Sequence, residues 1–101
     1  FDLVILGMGE DGHTASLFPG QVHTASELVH AVHYAPKPPP DRVSLSAAVI
    51  GGAREVLMLV TGDGKRDALD RWQAGEDLPI SRIHPAQGPQ LLLDAAAAGW
   101  P

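Results

Sequence analysis

Hydrophobic residues are grouped in short runs that end at glycine, proline or other turn residues. The runs from Asp2 to Leu6 and from Glu55 to Thr61 are largely aliphatic, which is typical of parallel strands covered on both faces. The segment from Glu27 to Tyr34 alternates between apolar and polar positions and also predicts a strand. Two smaller strands are predicted at Val43 to Leu45 and at Leu91 to Leu93.

Helix signals lie between these runs. A helical turn is predicted from His13 to Phe18, where a Pro-Gly pair stops it. Ser46 can cap a helix that runs to Ile50. Asp63 can cap a second helix, Lys65 to Gln73, whose apolar residues share one face. Strands that alternate with helices predict an α/β fold with a mostly parallel sheet flanked by helices, in a Rossmann-like arrangement.

The remaining segments are connections. Ala35 to Pro40 is predicted to be extended and polyproline-like, and Pro79 to Pro85 to be irregular. Two glycine loops, Gly7 to Gly12 and Thr61 to Gly64, each follow an aliphatic strand. Ligands of parallel sheets bind beyond the carboxyl ends of the strands, so these two loops are expected to line one crevice.

Composition narrows the class of protein. The 101 residues are enough for one α/β domain, 45% of them are hydrophobic, and no apolar run is long enough to cross a bilayer. The net charge of -5, with scattered basic residues, argues against a nucleic-acid partner. The chain has no cysteine, which fits a cytoplasmic location, and we expect a monomer. Because it begins at Phe1, directly in a predicted buried strand, we expect it to be part of a larger domain.

The sequence GMGEDG, Gly7 to Gly12, matches the G-x-G-x-x-G pattern of dinucleotide-binding loops. Only six residues separate Gly12 from Pro19, which is fewer than two helical turns and too few for the helix that such a loop requires. The acidic residue expected about 20 positions later is absent from the end of the next strand, since Glu27 precedes that strand. The pattern therefore favours a glycine-rich loop built around His13.

The block LGMGEDGHTASLFPG, Leu6 to Gly20, resembles the signature of the glucosamine-6-phosphate isomerase/6-phosphogluconolactonase family. PKPPPDRVSL, REVLMLVTGDGK and LLLDAAAAG resemble later blocks of that family in the same order. The resemblance covers nearly the whole chain and implies the C-terminal portion of a family domain, with the fold of the sugar-phosphate isomerase/deaminase-like superfamily. It implies hydrolysis of 6-phospho-D-glucono-1,5-lactone in the oxidative pentose phosphate pathway. The deaminase branch has a glutamate where this chain has Phe18, so the lactonase branch is favoured.

The resemblance also implies roles for residues of the first loop. A neutral imidazole, with an ordinary pKa of about 6.5, suits proton abstraction from water, and His13 is the expected general base. The pattern G-x-S-x-G is absent, which favours direct hydrolysis over an acyl-enzyme. Asp11 is expected either to orient the imidazole or a substrate hydroxyl, or only to form the turn. Backbone N–H groups from Gly12 to Thr14 are candidates for binding the oxyanion of the intermediate.

Two cations are candidates for binding the sugar phosphate. Lys65 follows a Gly-x-Gly turn at the start of a predicted helix, where a cation is unfavourable unless an anion binds there too. Arg42 follows three prolines and can contact substrate or pair with a carboxylate. The other histidines show no metal-ligand spacing, so we expect neither a metal nor a cofactor. A non-catalytic sugar-phosphate-binding fragment and a deaminase-like isomerase are the alternative functions.

Overall fold

The computed structural model describes residues 1–100, which form five strands and three α-helices. In chain order these are β1 (Leu3–Gly7), β2 (Val29–Val32), β3 (Arg42–Leu45), α1 (Ala47–Gly51), β4 (Glu55–Val60), α2 (Arg66–Gln73), β5 (Gln90–Leu93) and α3 (Ala95–Ala98). The predicted parallel sheet is confirmed, since β1, β4 and β5 pair in parallel in the order β1-β4-β5. The chain therefore has the predicted α/β architecture, a mostly parallel sheet with helices. Within residues 1–100, no helix has the length and apolar character needed to span a membrane.

One face of the parallel sheet carries the hydrophobic core. Val56, Met58 and Val60 of β4 are almost completely buried, and α1, α2 and α3 contribute Ile50, Ala68 and Ala97 to the same cluster. The opposite face is open in the described residues. It consists of Leu3 and Ile5 of β1, Leu59 of β4 and Leu92 of β5, whose side chains are 43–57% exposed. The prediction that the strands are covered on both faces is therefore wrong for these 100 residues.

A second, antiparallel pair of strands stands apart from the sheet. β2 and β3 pair from Val29 opposite Leu45 to Val32 opposite Arg42. The connection Ala35 to Pro40 closes on itself, because the Ala35 N–H donates to the Pro40 carbonyl at 2.9 Å. The prediction of an extended polyproline segment is wrong, since antiparallel pairing requires the chain to reverse between β2 and β3.

Two of the predicted helices are confirmed, with one change at a boundary. The Ser46 hydroxyl accepts a hydrogen bond from the Val49 N–H, which makes Ser46 the N-cap of α1 as predicted. The second helix, α2, is preceded by a 3₁₀ turn, Asp63–Lys65, so that Asp63 does not cap it. The carboxylate of Asp94 instead accepts from the Gly62 N–H at 3.0 Å and caps α3 through the Ala97 N–H at 2.8 Å. It thereby connects the second glycine loop to the end of the described chain.

The segment after His13 is not helical. Thr14 and Leu17 hydrogen-bond to each other through their backbones, and Ala15 has a positive φ of 50°. The Thr14 hydroxyl donates to the Gly7 carbonyl at 2.8 Å. This tight reversal satisfies the backbone groups that a helical turn would have used, which explains why the predicted helix is absent. The predicted irregular region contains a further short element, the 3₁₀ helix Pro79–Arg82.

Candidate active site

The loop that follows β1 is closed by its own backbone. The Gly9 N–H donates to the His13 carbonyl at 2.8 Å, and the Gly12 N–H donates to the Gly9 carbonyl at 3.0 Å. Gly12 has a φ of 85°, in the left-handed region that glycine adopts readily. The loop therefore presents His13 from a defined position at the carboxyl end of the sheet.

Asp11 and His13, two of the residues predicted from sequence, form a close pair. One carboxylate oxygen of Asp11 accepts from the His13 backbone N–H at 3.0 Å and lies 2.5 Å from the ring Nδ1. A carboxylate can only accept, so we assign the ring proton to Nδ1. The lone pair is then on Nε2, the atom that faces away from Asp11 and can take a proton from water.

The hydrogen bonds from His13 also stabilise the negative charge of Asp11. Burial by itself raises the pKa of this carboxyl, but the hydrogen bonds from the His13 backbone and ring outweigh burial. The pKa of Asp11 is therefore lowered from its ordinary value of 3.8. An ionised Asp11 at neutral pH fixes the imidazole tautomer and would stabilise a protonated ring.

Gly9 allows the imidazole to lie against the backbone. A β-carbon at this position would be 2.0 Å from both Cε1 and Nδ1 of His13 and 2.9 Å from the Asp11 carboxylate. No side chain larger than hydrogen fits there while the ring keeps its place. The sequence shows a glycine at this position but not which side chain needs the space, so Gly9 was missed as a positioning residue.

The second glycine loop contacts the first, as expected for loops at the ends of neighbouring parallel strands. The Lys65 ammonium donates to the Met8 carbonyl, and the Glu10 carboxylate lies against Gly64. Lys65 is half-buried at the end of the 3₁₀ turn. Since an ammonium has three donors, the contact with Met8 leaves two available for a ligand. The two loops therefore lie side by side, and a crevice between them that binds a ligand stays a prediction.

The amides predicted to bind the oxyanion already have acceptors. The N–H groups of Gly12, His13 and Thr14 donate to the Gly9 carbonyl, the Asp11 carboxylate and the Leu17 carbonyl, the last at 3.4 Å. The Thr14 side chain is buried and donates to the backbone as well. Contact of Gly12 and Thr14 with substrate stays a prediction, and it requires these amides to share their hydrogen bonds.

Arg42 lies at the start of β3, close to the His13 loop but on the antiparallel hairpin. Its Nε and Nη2 donate to carbonyl oxygens of Lys37, Pro38 and Pro39, each at 3.0 Å. The guanidinium carbon is 5.2 Å from the centroid of the Phe18 ring, which in turn is 4.7 Å from the centroid of the His13 ring. Arg42 therefore contacts the proline-rich loop and an aromatic ring, and it forms no carboxylate pair among residues 1–100.

No group of three or more histidine or acidic side chains is arranged to hold a metal ion within residues 1–100. Two side chains of the candidate site carry chemistry that a reaction could use. These are a carboxylate-oriented imidazole and an ammonium on the neighbouring loop.

Comparison with known proteins supports the same interpretation. A family model described as glucosamine-6-phosphate isomerases/6-phosphogluconolactonase matches residues 1–92. The chain belongs to this family. Both glycine loops lie within the matched residues, and so do Asp11, His13 and Lys65.

Members of the family with curated names are similar to almost the whole chain. The 6-phosphogluconolactonases of Rattus norvegicus and Homo sapiens are each 42% identical to it and cover 97% of its residues. The chain spans about 40% of the length of these relatives. The 6-phosphogluconolactonase of Trypanosoma cruzi has a structure that superposes with a TM-score of 0.82 at 34% identity, over 98% of this chain and 40% of that one. A monomeric glucosamine-6-phosphate deaminase, at 21% identity and a TM-score of 0.76, shares the fold.

Proposed function

We propose that the protein hydrolyses 6-phospho-D-glucono-1,5-lactone to 6-phospho-D-gluconate, a step of the oxidative pentose phosphate pathway. The observation that carries the proposal is the Asp11–His13 pair at the carboxyl end of the parallel sheet, beside the Lys65 ammonium. Family membership and the names of the curated relatives support the same reaction. The 101 residues contribute the general base and one phosphate contact, as the C-terminal portion of a single α/β domain.

The geometry of the Asp11–His13 pair supports direct attack of water with His13 as the base. Nε2 of His13 accepts a proton from a water molecule as its oxygen attacks the lactone carbonyl carbon. The tetrahedral intermediate then collapses, the bond from that carbon to the ring oxygen breaks, and His13 returns the proton to the departing oxygen. The resulting carboxylic acid ionises in water. Asp11 stays charged throughout and holds the imidazole by Nδ1.

We assign the phosphate to Lys65. Its ammonium has two donors beyond the one bound to the Met8 carbonyl, it lies where the two glycine loops meet, and a helix start favours a bound anion. Gly12 and Thr14 are proposed to border the substrate through their backbones. Arg42 was expected from sequence either to contact substrate or to pair with a carboxylate; its Nε and Nη2 already donate to the proline-rich loop, so we do not assign it to the phosphate.

The test is lactone hydrolysis by the intact protein, measured promptly and corrected for spontaneous opening of the ring. His13→Ala should lower kcat by about 10²–10⁴-fold, as expected for loss of a general base. The matched control is His33→Ala, because His33 also contacts a carboxylate, that of Asp41 at 3.0 Å, but lies exposed on the surface. Wild-type turnover by His13→Ala would refute the assignment of the base.

Two other functions have distinct outcomes in the same experiment. A non-catalytic sugar-phosphate-binding protein would bind 6-phosphogluconate without accelerating hydrolysis of the lactone. A deaminase would release ammonia from glucosamine 6-phosphate, a reaction disfavoured by Phe18 at the position of the deaminase glutamate.

We further propose a monomeric, cytoplasmic protein without a nucleic-acid partner. The absence of cysteine and the net charge of -5 support the last two points. Light scattering tests whether the protein is a monomer, and fractionation of cells tests whether it is cytoplasmic.

A further inference from the structure

The Arg42 guanidinium is fixed by an unusual number of backbone acceptors. Three successive carbonyls, those of Lys37, Pro38 and Pro39, accept from its Nε and Nη2. Three planar donor–acceptor contacts leave a guanidinium little rotational freedom. The proline-rich loop therefore holds the Arg42 guanidinium in one position.

The Arg42 guanidinium lies against the aromatic ring of Phe18. Its central carbon lies 5.2 Å from the centroid of Phe18, within the distance at which a guanidinium is attracted to an aromatic ring. Phe18 is 2% exposed, whereas Arg42 is only partly buried, so water weakens the attraction on the arginine side. A second contact joins the same two segments, since the Ser16 N–H donates to the Ser44 hydroxyl of β3 at 3.2 Å.

Phe18 in turn contacts the proposed base. The His13 and Phe18 rings have centroids 4.7 Å apart and planes tilted by 32°. The hydrogen bond to Asp11 holds Nδ1 of His13, but a hydrogen bond tolerates angular deviations, which leaves small rotations of the ring about χ1 and χ2. The Phe18 ring on one flank and the Gly9 backbone on its edge restrict this rotation.

We propose that Arg42 and Phe18 are positioning residues that hold the His13 imidazole in the orientation needed for proton transfer. Arg42 acts through Phe18 rather than by binding the sugar phosphate. This role rests on the lactonase function proposed above. It also assigns a role to the β2–β3 hairpin. The hairpin lies outside the parallel sheet and carries Arg42, which restrains His13 through Phe18.

The kinetic test uses Arg42→Met, Phe18→Leu and the double variant in the intact protein. Methionine keeps the length and apolar stem of arginine, and leucine keeps most of the buried volume of phenylalanine. Each single variant should lower kcat about three- to tenfold with KM within twofold of wild type. The double variant should lose no more than the larger single loss, because both changes remove the same support.

A second readout does not depend on turnover. In protein with ¹³C-labelled histidine rings, Arg42→Met should shift the His13 Cε1–H resonance, with no shift at His84 in the 3₁₀-helix region. His13→Asn identifies the resonance. A side chain that only stabilises the hairpin would leave the His13 resonance in place. If Arg42→Met does not fold, Arg42→Lys provides the test, since it keeps the charge but lacks the planar guanidinium that lies over the Phe18 ring, and it should shift the same resonance.

The outcomes separate this proposal from the proposed function. A rise in KM with unchanged kcat in Arg42→Met would make Arg42 a substrate-binding residue and would overturn the positioning role. Additive losses in the double variant, or an unshifted His13 resonance, would also overturn it. Absence of lactonase activity in the wild type would overturn the function alone, and the resonance would still report whether Arg42 orients His13.

Discussion

Replacement of Gly9 by alanine should disable the site while leaving the fold intact. The added carbon would lie 2.0 Å from Cε1 and Nδ1 of His13, whereas an ordinary contact needs 3.4 Å. The new β-carbon is attached to the loop backbone and cannot move away. The imidazole must therefore move by about 1.4 Å to restore an ordinary contact. A misplacement of about 1 Å costs on the order of 10²-fold in rate. We expect Gly9→Ala to lower kcat for lactone hydrolysis by about that factor.

The expected loss is steric and specific to the histidine. Gly9 has no positive φ, so alanine imposes no backbone strain there. Gly7→Ala is the matched control, since a carbon at Gly7 meets no atom within 4 Å. Combined with His13→Ala, the Gly9 substitution should cost no further activity, because the displaced ring is gone. Wild-type kcat in Gly9→Ala, or an undiminished further loss in the double variant, would refute the reasoning.

Three further predictions concern other parts of the chain. Lys65→Ala should raise KM by about 10- to 100-fold through loss of a charge-assisted hydrogen bond, while Lys37→Ala, which changes the chain's other lysine, should not. Ser46→Ala should lower the free energy of unfolding by about 1 kcal/mol in urea titrations, because α1 loses its N-cap. Asp11→Asn should destabilise the protein at pH 7. The difference should vanish as the pH falls below about 4, because a lowered carboxyl pKa stabilises the fold only while the group is ionised.

The parallel strands and the two loops could be predicted because their signals are local. Continuous aliphatic runs ended by glycine specify buried strands, and the sheet then brings both loops to one edge. The capping of α1 by Ser46 was predictable for the same reason. The proximity of the two loops follows from the parallel pairing of β1 with β4, but the contact between Lys65 and Met8 could not be predicted.

The errors concern polar groups whose hydrogen-bond partners are not indicated by the sequence pattern. Asp63 looks like a helix cap, but Asp94, more than thirty residues later, supplies the carboxylate that binds Gly62. The proline-rich segment looks extended, yet it curls because its carbonyls converge on Arg42. Sequence periodicity does not indicate which side chain meets which acceptor or ring, so neither the closed loop nor the position of Phe18 beside His13 could be predicted.

The open face of the parallel sheet has a practical consequence for experiments. Leu3, Ile5, Leu59 and Leu92 form a continuous apolar strip over three strands. Residues 1–101 produced by themselves would present this strip to solvent and should self-associate as the protein concentration rises. Such a preparation should also increase the fluorescence of dyes that bind apolar surfaces. Light scattering over a dilution series would show how much of this strip must be covered before kinetics are measured.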